Sequence, residues 1–435
     1  MNNFIEKIID FKLKLLAKAT IWRYEPKIIG VTGSVGKTST KKAIEKIISY
    51  SKTVRSSGDM RDRFRSLSLA IISNEKEGDS FVFWSKILFK SFLNLIIKDK
   101  KYPEVLVLEY GAEKPGNVRR LLDLVRPTIS IITSLGDVPS HIESFSGVDA
   151  VIREKSRIIS QLPSTGFAIL NQDEREVLDM KEQTRAHVVT YGFDKESDIR
   201  ISSFENLFNK DQTGVTFKVN YGGSFIPVRL ENCLGKSKAY SSAAAAAVGL
   251  VFGINLVSIS EALEEFQSPP GRLKVIEGIK KSLIIDDTFN SSPKSMEEAL
   301  EVFKKIKKVK NRKISVIGGT LDIGKKTLNI HEYFGKKLSK ISDVLITVGM
   351  RGKIISESAI KNKMDKKHVH HFTNLKDIAE TLQKEIKKGD LILVKGSEFI
   401  RMENIIKEVM AEPNMAKKLL SRQNKYWLNK KGMYE

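Results

Sequence analysis

Cysteine is all but missing from these 435 residues: Cys233 stands alone. A disulfide framework and a Cys-based zinc site are thereby excluded, and such usage fits a reducing cytoplasm. Long apolar runs are missing too. No segment reaches 18 uncharged apolar residues, so nothing is expected to span a membrane. The N-terminus lacks the apolar core and small-residue cleavage site of a signal peptide. No internal repeat and no nucleic-acid module signature is present, and the lysines are scattered along predicted helix faces. What abounds is positive charge: 74 Lys and Arg against 52 Asp and Glu, a net charge of +22. That balance suits nucleic acid, an anionic membrane surface or highly anionic small substrates, and the scatter of the lysines argues against the first. At 41% hydrophobic and 29% charged the composition is that of a globular protein, and the length suggests two or three domains.

The stretch that organises the chain is Gly30-Val-Thr-Gly-Ser-Val-Gly-Lys-Thr-Ser-Thr40. A β-branched run, Lys27-Ile-Ile29, precedes it, and Lys41 to Ile48 has helical apolar spacing. Strand, glycine turn and helix start point several backbone N–H groups at one anion. Lys37 adds a charge for outer phosphates, and Thr38 a hydroxyl for Mg²⁺. The spacing is not the usual one, since Val31 occupies the place of the first glycine and Gly30 comes one residue early. The bland alternative is a surface turn that happens to end in Lys-Thr.

Downstream, Pro103-Glu-Val-Leu-Val-Leu-Glu-Tyr110 and Thr128-Ile-Ser-Ile-Ile-Thr133 read as continuous buried strands, the mark of a parallel sheet covered on both faces. Helices are expected at Met60–Asn74, after a turn over Gly111–Pro115 through Leu124, and over 147–161, with a further strand at Gly166–Leu170. This alternation implies a doubly wound α/β domain with its site at the carboxyl ends of the strands. Residues 187–230 change to short alternating strands, a small β-rich portion, and Ser241–Leu250 is a small-residue helix. Pro269-Pro-Gly271 breaks the chain, after which strands at Ser282–Asp286, Lys313–Ile317, Val344–Val348, His368–Phe372 and Leu391–Val394 alternate with helices in a second Rossmann-like domain. The expected division is a helical N-terminus (1–25), a central ATP-binding domain (26–270) and a C-terminal Rossmann-like domain (271–435), the last ending in a basic tail helix over 413–435.

Two helices stand apart. Phe4–Tyr24 is basic and amphipathic, and Phe81–Ile97 is strongly apolar, interrupted by Lys86 and Lys90. Such helices lie on a bilayer surface or, more commonly, pack against protein.

Glu109 at the end of an apolar strand, His141 in a loop after the next strand and Lys155 on a helix each have a bland reading: a solvated carboxylate, a loop histidine, a surface lysine. Asn290 could be a turn residue before Pro293. His368-Val-His-His371 puts two imidazoles on one strand face, but no Cys or carboxylate set completes a metal site.

Together these segments resemble the Mur ligases, ATP-dependent amide-forming enzymes of peptidoglycan precursor synthesis. The loop has that family's short spacing, which implies nucleotide contacts from Thr32, Gly33, Ser34, Val35, Gly36, Lys37, Thr38 and Ser39. Glu109-Tyr-Gly-Ala112 resembles the family's Glu-Met-Gly-Ala, whose glutamate holds Mg²⁺ with the Thr38 position. Ser140-His-Ile-Glu-Ser-Phe145 resembles a segment whose histidine binds a second Mg²⁺. Lys155, fourteen residues after His141, falls where the family keeps a lysine carbamylated by CO₂. Asp286-Asp-Thr-Phe-Asn-Ser-Ser-Pro293 resembles a segment whose asparagine, here Asn290, meets adenine, and Arg272 and Asp287 are expected to act when the C-terminal domain closes on ATP. With Leu393-Val-Lys-Gly-Ser397 and Arg401-Met402, this segment points to the branch that adds D-alanyl-D-alanine to a UDP-muramoyl tripeptide.

The implied chemistry is ATP- and Mg²⁺-dependent acyl-phosphate formation on an anionic UDP-linked peptide, followed by attack of an amino acid or dipeptide. Lys37, Glu109, His141 and Lys155 are its catalytic candidates. A cytoplasmic monomer is implied, with no nucleic-acid partner. The chain departs from the pattern in four places. Only about twenty-five residues precede the loop strand, where members begin with a UDP-gripping domain. Ser237-Lys-Ala-Tyr-Ser241 lacks the expected asparagines, Thr320 replaces an Asp, and Ser57–Phe64 is charged where a neutral loop is usual. The acceptor amine is left open. A folylpolyglutamate synthase would show Gly-Lys-Gly-Ser in the loop. A non-catalytic Mur-like subunit would tolerate loss of Glu109 or Lys155, and both are present. A nucleic-acid P-loop ATPase would need a strand ending in the Walker B aspartate.

Overall fold

Apolar runs with charged residues only at their ends form the centre of the molecule. The computed structural model describes residues 3–428 apart from 59, 61, 76–79, 209–211 and 307–311. Asp59 and Arg61 of the charged segment, and the last residues of the basic tail, therefore lie outside the described residues. The first sheet has nine strands: β1 (Lys27–Thr32), β2 (Val54–Ser56), β3 (Val105–Glu109), β4 (Ile129–Ile132), β5 (Phe167–Asn171), β6 (His187–Gly192), β7 (Ile199–Phe208), β8 (Thr213–Tyr221) and β9 (Ser224–Glu231). The second has six: β10 (Lys274–Glu277), β11 (Leu283–Asp287), β12 (Lys313–Gly318), β13 (Val344–Val348), β14 (Val369–Phe372) and β15 (Leu391–Lys395).

The first sheet runs β2-β3-β1-β4-β5-β6-β7-β8-β9. Pairing is parallel from β2 through β7, and β7-β8 and β8-β9 are antiparallel. Side chains of β3 alternate between two cores. Val105 and Val107 join Ile29, Val31 and the helices Lys37–Ile48 and Lys236–Val251 on one face. Leu106 and Leu108 join the helices Asn3–Tyr24, Arg63–Ile72, Phe81–Ile96 and Val148–Ser160 on the other. The small residues Ala243 to Ala247 are completely buried or nearly so, which lets their helix lie close against the sheet. The order β3-β1-β4 makes β1 the switch point, where the chain leaves in opposite directions and ligand crevices form.

The β-rich portion is not a separate layer. β6 extends the parallel sheet, and β7 to β9 continue it as an antiparallel wing. β7 escaped the sequence reading because its second half is polar and it is irregular between Ser202 and Glu205, with Ser203 at φ 53°.

The second sheet, β10-β11-β15-β12-β13-β14, is parallel except for β10. The expected tail helix is instead a short 3₁₀ turn (Pro413–Met415) and two single-turn helices, Ala416–Leu419 and Lys425–Leu428. The turn expected over Gly111–Pro115 is present, with the Asn117 side chain accepting from the Glu113 and Lys114 N–H groups, and the helix after it is Asn117–Leu122.

Candidate active site

The loop between β1 and the helix Lys37–Ile48 is shaped by two glycines and a threonine. Gly33 has φ 141° and Gly36 φ 90°, conformations that L side chains rarely adopt. The Thr133 hydroxyl, at the end of the neighbouring β4, donates toward the Thr32 and Val35 carbonyls at 3.0 and 2.7 Å. The Ser34 and Val35 N–H groups donate to the Ser134 carbonyl. The helix then starts at Lys37, directing its first N–H groups and positive dipole end at the loop mouth.

Glu109 ends β3, in register with Val31. It is 1% exposed, yet it is charged. Burial pushes its carboxyl upward, but Arg63, Lys41 and Lys37 together with the Thr38 hydroxyl hold it far below the usual carboxylate range. Lys41 Nζ lies 3.7 Å and an Arg63 Nη 3.4 Å from its oxygens, and Thr38 Oγ1 donates to Oε2 at 3.0 Å. The Glu109 backbone N–H donates to the Ser57 hydroxyl oxygen at 3.0 Å, and Lys41 Nζ in turn donates to the Ser57 carbonyl at 2.7 Å.

Lys155, on the helix Val148–Ser160, is 2% exposed, and its Nζ donates to Ser34 Oγ at 3.0 Å. Burial first, and the nearby Lys37 second, push its ammonium well below the usual lysine value. Among the described residues no carboxylate pairs with it. Burial likewise lowers Lys37, with Glu109 partly restoring it. His141 sits in a left-handed backbone conformation (φ 65°), and its Nδ1 lies 3.1 Å from Asp322 Oδ2, across the domain interface. Two residues on, Glu143 accepts from the Gly324 N–H at 2.7 Å, so the loop around His141 clasps the C-terminal domain.

That domain supplies the opposite wall. β11 and β15 are parallel neighbours with Asp287 in register with Lys395, and Lys395 Nζ donates to Asp287 Oδ2 at 2.6 Å and to the Asn290 carbonyl at 2.9 Å. Asp286, fully buried, accepts from Thr288 twice and from the Gly271 N–H, and burial pushes its carboxyl up to about 6. Arg272 lies 3.7 Å over the Phe289 ring. The Asn290 side chain accepts from the Ser291 N–H, the geometry of a turn residue, at the edge of the cleft. Arg422, in the tail, donates to both Glu403 oxygens and to the Thr288 and Phe289 carbonyls, and the Trp427 ring lies beside it. Arg422→Ala leaves these carbonyls without that donor and buried Glu403 with Arg401. It is expected to cost about 3–5 kcal/mol in urea unfolding, with Arg422→Lys recovering less than half, because an ammonium cannot span a carboxylate bidentately.

These residues line one cleft of about 530 Å³: the loop from Gly33 to Ser39, Glu109, His141, Lys155, Arg272, Asp287 and Asn290 all reach it. Of the expected set, only Thr32 lies behind it, buried, its hydroxyl donating to the Tyr110 carbonyl at 2.6 Å. A larger cleft of about 1290 Å³ adjoins it at Val35, Gly36 and Ser237 but lacks Lys37, Glu109 and Lys155. Chemistry therefore selects the smaller one. The Thr38 hydroxyl and Glu109 carboxylate are hard oxygen donors in contact, which fits Mg²⁺. Among the described residues no group of three His, Cys, Asp or Glu could hold an ion alone, so substrate oxygens and water would complete the shell. Sequence reasoning missed Lys41, Arg63, Lys395 and Arg422. Only Lys395 carried a signal, in the Val-Lys-Gly-Ser segment.

A family model described as the Mur ligase middle domain matches residues 31–249, and one described as the Mur ligase glutamate ligase domain matches 271–398. The UDP-N-acetylmuramoyl-tripeptide--D-alanyl-D-alanine ligase of Bacillus subtilis (strain 168) is 28% identical over 403 residues, 92% of this chain and 79% of that relative. Among solved structures, a MurF ligase from Thermotoga maritima in complex with ADP matches with a TM-score of 0.74 at 21% identity, over 92% of this chain and 83% of that one. MurF from Acinetobacter baumannii matches with a TM-score of 0.73 at 23% identity, over 91% and 79%. The structural likenesses speak for the fold. The middle-domain match by itself takes in half of the sequence, and this chain belongs to the Mur ligase family.

Proposed function

We propose that this protein is an ATP-dependent ligase that joins D-alanyl-D-alanine to a UDP-muramoyl tripeptide, as a cytoplasmic monomer. The observation that carries this reading is the convergence, in one cleft between two domains, of the phosphate loop, the charged Glu109 and the buried amine of Lys155. The names of the relatives support the choice of substrates. Loop N–H groups and Lys37 orient the triphosphate, and the substrate carboxylate takes the γ-phosphoryl group as ADP leaves. The dipeptide amine then displaces phosphate from the acyl phosphate. Mg²⁺, when bound, neutralises phosphate charge and aligns the transferring group. Thr38 and Glu109 would hold one ion, and His141 with a carbamate on Lys155 a second.

A lowered lysine is suited to that carbamate. The neutral amine attacks CO₂, an N–C bond forms as one C=O π pair moves onto oxygen, the nitrogen loses a proton to water, and the amine becomes an anionic oxygen ligand. Asn290 and Asp287 would serve adenine and ribose, and Arg272 the phosphates, from the C-terminal wall. The test is phosphate release in the presence of ATP, Mg²⁺, UDP-muramoyl tripeptide and D-Ala-D-Ala. Release that requires both substrates is expected, and release that needs neither would overturn the assignment.

Gly33 is the loop residue with least freedom to change. A Cβ there would meet Thr133 Oγ1 at 2.0 Å, on a backbone at φ 141°. Gly33→Ala is expected to weaken ATP binding about 100-fold, ~2.7 kcal/mol, measured by titration calorimetry.

A further inference from the structure

The helices Asn3–Tyr24 and Phe81–Ile96 pack side by side on the outer layer of the first domain. Their carboxyl ends are joined through Tyr24, whose hydroxyl donates to the Asn94 carbonyl and accepts from the Asp99 N–H. Each helix has an apolar face turned to the core: Ile9, Leu13 and Ala17 on the first, Trp84 and Ile87 on the second. Each also has a second apolar face. At 3.6 residues per turn, Ile8, Phe11, Leu15 and Trp22 fall within about 60° of arc, on the side opposite Leu13. Val82, Phe89, Phe92, Leu93 and Ile96 fall within about 100°, opposite Trp84 and Ile87. These side chains are open to water: Trp22 is 79% exposed, Phe11 64%, Phe89 65% and Ile96 62%. Because both helices turn their inner faces to one core, their outer faces form one surface.

Charge decides what that surface fits. Lys7, Lys12, Lys18 and Arg23 are exposed beside the first stripe, and Lys86, Lys90 and Lys98 beside the second. The helix Phe81–Ile96 contains no acidic residue. The two acids of the other helix are bound elsewhere: Asp10 to Arg65 and Arg120, and Glu6 to Arg65. A second copy of the chain would set lysine rows against lysine rows, which is repulsive. An apolar stripe carrying Trp and Phe, bordered by Lys and Arg, is the make-up of a helix lying in the headgroup region of an anionic bilayer.

We propose that this two-helix surface docks the enzyme on anionic membrane lipid, with the aromatic stripe inserted among the headgroups and the lysines against phosphates. The full-length protein would be sedimented with vesicles of phosphatidylcholine alone or mixed equally with phosphatidylglycerol. Binding to the anionic vesicles is expected to be at least about tenfold stronger, and to fall similarly between low salt and about 0.5 M salt. Phe11→Ser, Trp22→Ser, Phe89→Ser and Phe92→Ser combined should abolish it while circular dichroism and solution phosphate release stay unchanged, since these side chains face water. No binding to anionic vesicles at low salt would overturn the proposal, as would binding that survives the fourfold substitution. Concentration-dependent dimerisation abolished by the same substitutions would assign the surface to a second copy instead.

Discussion

Lys155→Ala is expected to lower substrate-dependent phosphate release by about 10³-fold, ~4 kcal/mol of transition-state stabilisation, without unfolding the protein. The two halves of that expectation come from one feature. The Lys155 amine is buried against Ser34, with Lys37 as its charged neighbour, so its ammonium form is disfavoured by burial and repulsion together. A fold gains nothing in stability from such a group. Lys155→Met, which keeps the volume and removes the charge, should therefore unfold at the same temperature as wild type or higher near neutral pH. The sign with pH follows from linkage. The folded chain holds Lys155 neutral where the unfolded chain, at the ordinary value of 10.5, still binds a proton. Wild-type stability relative to Lys155→Met should thus rise with pH until 10.5 is reached. Activity should respond to CO₂ in the wild type alone, and full-rate turnover by either variant would remove Lys155 from the mechanism.

What could be read in advance depended on whether information was local. β3 announces itself in five consecutive residues, and the loop in nine, because buried parallel strands and phosphate-binding turns are specified by short runs. The resemblance supplied roles for Glu109 and Lys155 that composition could not. What stayed hidden was pairing over distance. Lys41 and Arg63 are two of 74 basic residues, and nothing nearby in sequence marks them as the countercharges of Glu109. His141 meets Asp322 only because two domains close on each other. Arg422 read as one more charge on a basic tail, whereas folding buries it between Glu403 and the carbonyls after β11. Strand β7 was lost for the opposite reason: its pattern is local but mixed, with polar residues on an exposed wing.

Glu109→Gln tests the most strongly coupled group in the cleft. Gln keeps the shape and removes the charge, leaving the Lys41, Arg63 and Lys37 cations facing one another without their shared anion. Breaking a buried ion pair from one side costs about 3–5 kcal/mol, so the urea midpoint should fall measurably. Adding Lys41→Met removes one stranded cation, and the double variant should lose less than the sum of the singles, a coupling of at least about 1 kcal/mol. Acid provides an independent check. Glu109 is held charged far below its unfolded value of 4.5, so its contribution is complete above that pH and is lost only as pH falls toward the depressed folded value. The gap between wild type and Glu109→Gln should accordingly persist at pH 5 and begin to narrow only below 4.5. Catalysis separates stability from metal binding. With one hard oxygen ligand made neutral, the Mg²⁺ concentration for half-maximal phosphate release should rise at least about tenfold at temperatures where the variant is folded. A variant that is destabilised but keeps the wild-type Mg²⁺ requirement would make Glu109 a structural counterion and leave the metal to other oxygens.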